Sequence, residues 1–380
     1  MKISVIGGGN AGCITALNLG WATRWSDDIE VELIYDPNIP PEPVGQASVL
    51  GFPKLIWAAA GFNWYNNPFH ATLKSGILYE GWGKKNDKVF HDFPSDKMAM
   101  HFCPCEMQEY LLKSKWFNVV ESNVTDTNDI DSDYIFDCRG KPHDYSDYDE
   151  LISPTNACIL GRANWDTTEA LWSRHVATPD GWTFVIPTAI DSPSRNGGVG
   201  YCYNSNITQK EEAEYNFLEM FDVEVKHQVN FKNYVAKNPI VDDRIFLNGN
   251  RLFFLEPMES SSVQGYIECA RFFADYIITK RAPVKQAASA AREYIKELQN
   301  FVLWHYQFGS KYDTPFWDYA KKISFKDDKF DAMLDYCKDT ERVNLIPKGY
   351  GGSTNDYSMY GQWPAFSFKI WYDGMTRKEK

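Results

Sequence analysis

Three glycines, Gly7, Gly9 and Gly12, follow directly on an apolar run from Ile3 to Ile6 and open an Ala/Leu-rich stretch from Ala11 to Leu19. G-x-G-x-x-G between a strand and a helix is the pattern of a loop that wraps a dinucleotide pyrophosphate. Gly7 permits the turn, Gly9 lets phosphate approach the backbone, and Gly12 lets the helix pack closely on the strand. Unpaired N–H groups at the helix start, near Asn10 and Ala11, then face the phosphates. A second strand, Val31–Tyr35, ends on Asp36, an acid placed to accept from a ribose hydroxyl. The glycines alone do not separate FAD from NAD.

A second place could hold an anion. The run Glu256-Pro257-Met258-Glu259-Ser260-Ser261-Ser262 joins a strand read over Arg251–Leu255 to an apolar helix read over Val263–Thr279. A helix start attracts negative charge, although serines there also serve as plain N-caps. Lys74 is the one charge inside Ala71–Tyr79, which reads as a single strand. Taken alone, such a lysine belongs on a solvated strand face. Metal chemistry has no support. Cys103-Pro104-Cys105 is a C-x-C without a second pair, and the histidines lack ligand spacing.

The elements that must position these groups alternate. Helices read over Val49–Ala60, Cys105–Lys113 and Lys210–Met220. Strands read over Phe117–Val120, Tyr134–Asp137, Leu171–Val176, Trp182–Pro187 and Gly197–Tyr203, and helix dominates from Ala282 on. That order implies an α/β fold with a parallel sheet, a second sheet inserted into it, and a helical end.

Composition narrows the function. The chain has 380 residues and a net charge of −12, which argues against a nucleic-acid partner. Aromatic residues make up 16%, which suits a flat apolar substrate. No apolar run is long enough to span a bilayer. A first strand next to Met1 and eight scattered cysteines lead us to expect a reduced, cytoplasmic protein without a signal peptide.

Gly181-Trp182-Thr183-Phe184-Val185-Ile186-Pro187 resembles the W-x-W-x-I-P motif of flavin-dependent halogenases, the tryptophan halogenase family. Other landmarks agree in order. Gly7 to Gly12 is similar to the family's FAD fingerprint, and Val44-Gly45-Gln46-Ala47-Ser48 to its V-G-E-A-T flavin strap. Lys74 falls where the family carries its catalytic lysine. Glu256 to Ser261 resembles E-P-L-E-S-T, and His305-Tyr306 with Asp313-Thr314-Pro315-Phe316-Trp317 resembles the H-Y and D-T-P-F-W signatures.

The resemblance implies a flavin-monooxygenase-type, Rossmann-like fold. Residues 1–280 would form the FAD-binding part, with a sheet inserted at about 55–95 and 165–245, and residues 281–380 a helical cover over the substrate. It implies that FAD, reduced by a separate flavin reductase, reacts with O2 and oxidises halide to hypohalous acid. That oxidant would travel to Lys74 and halogenate a small electron-rich aromatic, indole-like or phenolic, with Glu259 assisting. Gln46, Ala47 and Ser48 would strap the flavin, and Trp182, Phe184 and Pro187 would shield it. Halide would rest at Ser261 and Ser262. Gln46, Phe184, Ser261 and Ser262 depart from the family pattern. Serine at 262 replaces glycine, and would be strained if that backbone needs a positive φ. Halide preference is therefore open, as is a homodimer. Two other readings stand: a halide-independent flavin monooxygenase, and a non-catalytic FAD-binding relative.

Overall fold

Short apolar runs pair in parallel to build the first layer. The computed structural model describes residues 1–41, 44–84, 88–93, 98–167, 170–188, 198–341 and 359–376. Strand β1 (Lys2–Ile6) lies between β2 (Glu30–Tyr35) and the strand Tyr134–Asp137, parallel to both. The six-stranded order is Ile240–Val241, Ile245–Leu247, Tyr134–Asp137, β1, β2, Asn118–Glu121, and only the first pair is antiparallel. β1 is buried from Ile3 to Ile6, as a parallel strand covered on both faces must be. Helix α1 (Asn10–Ala22) carries the chain from β1 to β2. Gly7 and Asp36 thus stand side by side at the carboxyl edge, where open α/β sheets bind ligands.

The second layer is a seven-stranded sheet. Its order is Val223–Asn230, Ala157–Ala163, Gly198–Tyr203, Gly181–Ile186, Ser173–Thr178, β5 (Gly76–Glu80), β6 (Lys88–Asp92). A small antiparallel sheet connects it to the first layer: β3 (Gln46–Ala47), β7 (Ala99–Phe102) and β4 (Thr72–Lys74), with β7 in the middle. The residues resembling a flavin strap and the strand bearing Lys74 are therefore held in register by one intervening strand. Helices α2 (Gly51–Ala60) and α3 (Pro104–Leu111) follow β3 and β7. Helix α4 (Lys210–Met220) has the bounds expected for it.

Several expectations need correction. Ala71–Tyr79 is two strands in two sheets. Ser75 breaks the run: its N–H donates to Leu171 O at 2.7 Å and its carbonyl accepts from Phe93 N at 2.8 Å. Gly76 then passes so near β6 that a Cβ would lie 2.5 Å from His91 O. Of Arg251–Leu255 only Phe253–Phe254 is strand, because Gly249–Arg251 turns as a short 3-10 helix. Helix α5 starts earlier than expected, at Ser261, and runs to Ala274 before a π-helical turn, Asp275–Thr279.

The end of the chain is helical, with α6 (Val284–Gln307), α7 (Pro315–Ala320), α8 (Asp328–Asp339) and α9 (Ala365–Thr376). A short hairpin, Met359–Tyr360 with Trp363–Pro364, was not foreseen. Among the described residues no helix is long and apolar enough to cross a membrane.

Candidate active site

The glycine loop divides by function. Gly7 has φ +115°, and a Cβ there would sit 2.6 Å from Cys138 O; one on Gly12 would sit 1.7 Å from Gly7 O. Both are demanded by backbone contact. Gly9 is different, since nothing lies within 4 Å of its absent Cβ. Helix α1 begins there without a side-chain cap, and Asn10 Oδ1 is buried with no hydrogen-bond partner. An uncapped helix start, open space before it and an unpaired acceptor fit a pyrophosphate with its ribose hydroxyls. Asp36 uses Oδ1 to accept from Asn38 N and Nδ2, each at 2.9 Å, which fixes the turn after β2.

Lys74 is not on a solvated face. It is fully buried, because β4 alternates inward at the third residue and β7 covers it. Its Nζ donates to Ser48 O at 3.1 Å and to Ser260 Oγ at 2.7 Å, and lies 5.6 Å from the Phe93 ring centroid. Burial lowers its pKa from 10.5 to about 7, partly opposed by the Glu259 carboxylate. Ser48 is pinned on both sides: its N–H donates to Met100 O at 2.8 Å and its Oγ accepts from Met100 N at 3.1 Å.

The turn before α5 is left-handed at two consecutive residues, Glu259 (φ 64°) and Ser260 (φ 53°). The positive φ considered for Ser262 does not occur; Ser262 lies in the first turn of α5, and the unusual backbone falls on its two predecessors. Such torsions cost on the order of 1 kcal/mol each or more and persist where the surroundings enforce them. Ser260 does not cap the helix; its Oγ accepts from Lys74 instead. Ser261 Oγ is buried without a partner, at the uncapped helix start.

Glu259 is held by four donors. Oε1 accepts from Tyr79 Oη at 2.6 Å, His91 Nδ1 at 2.9 Å and His305 Nε2 at 3.0 Å, and Oε2 accepts from Trp363 Nε1 at 3.0 Å. Burial alone would raise its pKa, but the two histidines outweigh that and hold the carboxyl well below its ordinary range. Glu256 is the opposite case. Burial pushes it up to about 7, although Thr155 Oγ1, Tyr306 Oη (2.9 Å) and Trp182 Nε1 (3.5 Å) all donate to Oε2. Its Oε1 has no partner. Neighbours on α6, His305 and Tyr306, thus serve the two glutamates of one turn.

Sequence reasoning missed Tyr79, His91 and Trp363. A signal existed for the first two, since alternation puts Tyr79 with Ile77, and His91 with Val89, on the inner faces of β5 and β6. Trp182 is fully buried against His175, ring centroids 4.8 Å apart. Phe184 fills the space of a side chain at Gly200, and Pro187 O accepts from Thr72 Oγ1 at 2.9 Å, tying that strand end to β4.

Two cavities share the segment from Val44 to Gly51. One of about 870 Å3 is lined by Val44, Gln46, Thr155 and Asn233. The other, about 730 Å3, is lined by Val49, Leu50, Gly51, Glu259 and aromatic side chains including Phe93, Tyr294 and Trp363. The segment from Val44 to Gly51 runs from one to the other, and Ser48, with Lys74 bonded to its carbonyl, lies between the two lined stretches.

The tryptophan halogenase family model matches residues 2–128 and 118–349. The tryptophan 7-halogenase RebH of Lentzea aerocolonigenes is 27% identical over 164 residues, 40% of this chain and 29% of that protein. The tryptophan 6-halogenase ThaL of Streptomyces albogriseolus is 22% identical over 302 residues, 74% of this chain and 54% of that protein. The chain thus spans about half or less of the length of these curated relatives. Among solved structures, the tryptophan 6-halogenase SttH from Streptomyces toxytricini superimposes with TM-score 0.76 at 18% identity, covering 98% of this chain and 90% of that one. BrvH, a flavin-dependent halogenase from Brevundimonas sp. BAL3, gives 0.75 at 15%, covering 98% and 89%. At that identity the structures establish the shared α/β fold.

Proposed function

The chain belongs to the tryptophan halogenase family, and we propose from this that it is an FAD-dependent halogenase that uses Lys74 to deliver halogen to an electron-rich aromatic. Family membership implies FAD. When bound in reduced form, FAD supplies with O2 the oxidising power that turns halide into hypohalous acid. A separate flavin reductase provides the reduced cofactor. Gly7, Gly9, Asn10, Ala11, Gly12 and Asp36 hold the dinucleotide end, and Gln46, Ala47 and Ser48 strap the ring beside the cavity that Gln46 lines. Trp182, Phe184 and Pro187 belong to the wall that keeps organic substrate away. Halide rests on N–H groups at Ser261 and Ser262.

The observation that carries this reading is the placement of Lys74. Its amine is buried, is lowered by burial to a pKa of about 7, and bridges Ser48 and Ser260. Such an amine can hydrogen-bond hypohalous acid or, when neutral, accept the electrophilic halogen. Glu259 reaches the aromatic-lined cavity and stays anionic, so its role is to stabilise the cationic ring intermediate. Residues 1–280 then form the FAD-binding body. Residues 281–380 cover the substrate, a reading supported by Tyr294, Trp363 and Phe366 on the cavity wall.

The test supplies FAD, a flavin reductase, NADH, O2 and each halide with a panel of arenes, and follows halogenated mass. Wild-type protein should yield product only with halide, and Lys74→Ala none, while both reoxidise flavin. Hydroxylated product without halide dependence would replace the proposal with a monooxygenase.

A further inference from the structure

Both ring nitrogens of His305 meet groups that accept. Nδ1 lies 2.7 Å from Phe301 O, one turn earlier on α6, and Nε2 lies 3.0 Å from Glu259 Oε1. A neutral imidazole has one N–H and can donate to one of these partners; donating to both takes the imidazolium. His91 bonds the same carboxylate oxygen differently. Its Nδ1 donates to Glu259 Oε1 at 2.9 Å, while its Nε2 lies 2.8 Å from Ser367 Oγ, a hydroxyl that can itself donate. A single N–H therefore satisfies His91.

The proton that His305 and Glu259 share has two places to sit. On Glu259 it would compete with donors already in position, Tyr79 and His91 at Oε1 and Trp363 at Oε2. A carboxyl held by that many donors favours its ionised form. On His305 it is welcome: the ring lies against Trp371, centroids 4.1 Å apart and planes 35° apart, where an indole face favours a cation. His305 is fully buried, so a charge there needs a counter-ion in contact, and Glu259 is that ion. Among the described residues, the other titratable groups around the pair are Tyr79 on β5, His91 on β6, Lys74 on β4 and His175 on the strand Ser173–Thr178.

We propose that His305 is a fixed imidazolium, the counter-ion built in for Glu259, and that His91 beside it is neutral. The inference deepens the role proposed for Glu259, and its effect on rate rests on the halogenase reading. His305 is a positioning residue. It acts through the carboxylate, which it keeps charged and aligned where that carboxylate lines the aromatic cavity. The pair has no net charge, so an anion can be buried there for a ring cation to meet. Without the imidazolium, Glu259 takes up a proton as the medium approaches neutrality from above.

Full-length protein with isotope-labelled histidine nitrogens is examined by NMR at about pH 7.5, where a solvated histidine is mostly neutral. His305→Gln and His91→Gln assign the signals. The wild type should show one ring protonated on both nitrogens, missing from His305→Gln, and a neutral Nδ1–H tautomer for His91. Glu259→Gln should turn His305 neutral, which assigns it even if His305→Gln does not fold. A neutral His305, or an imidazolium at His91, overturns the inference. The pH profile of halogenation gives a second readout. His305→Gln should gain about tenfold in kcat relative to wild type between pH 7 and pH 9, as its Glu259 ionises, and His91→Gln should show no such relative gain. A His305→Gln profile that is lower but parallel to wild type would make the residue a packing element and overturn the inference. The imidazolium signature without halogenated product from wild type would sink the halogenase reading alone; a neutral His305 in an active protein would sink this inference alone.

Discussion

Lys74 Nζ lies 3.1 Å from the carbonyl oxygen of Ser48, at the point where the strap passes from one cavity towards the other. The contact couples a backbone segment proposed to hold the cofactor to the side chain proposed to carry the halogen. Ser260 Oγ, 2.7 Å from the same amine, is its second hydrogen-bond partner. Neither contact neutralises the amine, which is why burial decides its pKa.

That pKa predicts a pH profile. If the neutral amine accepts the halogen, kcat rises as pH passes upward through about 7 and levels off above it. A rate falling through the same range would assign the work to the ammonium form. Stability carries the same signature. Between about 7 and the ordinary 10.5 the unfolded chain binds a proton that the native amine does not, so stability rises with pH across that window. Urea titrations at both ends should show this for wild type and much less of it for Lys74→Met.

Glu259→Gln preserves size and removes the charge. It should lower kcat for halogenation about 100-fold while flavin reoxidation continues. Stopped-flow flavin absorbance paired with product mass separates the two rates. Unaltered kcat would remove the carboxylate from ring-cation stabilisation.

Glu256 should behave as a structural acid that is protonated near neutrality. Its pKa is raised from 4.5 to about 7, so its contribution to stability is complete below 4.5 and is lost as pH rises through about 7. Glu256→Gln should fold and abolish that loss. Glu256→Ala leaves the donors of Thr155, Trp182 and Tyr306 without an acceptor, at a cost of about 2–4 kcal/mol. Thermal melts at pH 5 and pH 8 distinguish the variants.

Two glycine substitutions should differ in kind. Gly12→Ala forces a methyl into Gly7 O and should yield unstable protein. Gly9→Ala meets open space, so the fold should survive while FAD affinity falls, as flavin fluorescence titration would show. Unchanged affinity in Gly9→Ala would move the phosphate away from this loop.

Much of the first layer was legible because its signals are local. β1, the glycine turn, α1 and β2 are adjacent in the chain, and each has its own period or breaker. Helix α4 was legible for the same reason. The strand bearing Lys74 was misjudged in length because the break at Ser75 depends on Leu171 and Phe93, which no local pattern announces. Lys74 itself, read locally, belonged on a wet face; only likeness to a family suggested otherwise, and burial under β7 decides it.

The sequence by itself determined an acidic α/β chain with a dinucleotide loop, and the order of motifs that resembles flavin-dependent halogenases. Tertiary structure alone decided protonation and partnership: Lys74 and Glu256 brought near pH 7 by burial, Glu259 kept anionic by His91 and His305. The reason is that the partners lie far apart along the chain, up to 186 residues for Lys74 and Ser260. Desolvation depends on everything packed around a group, not on its neighbours in sequence.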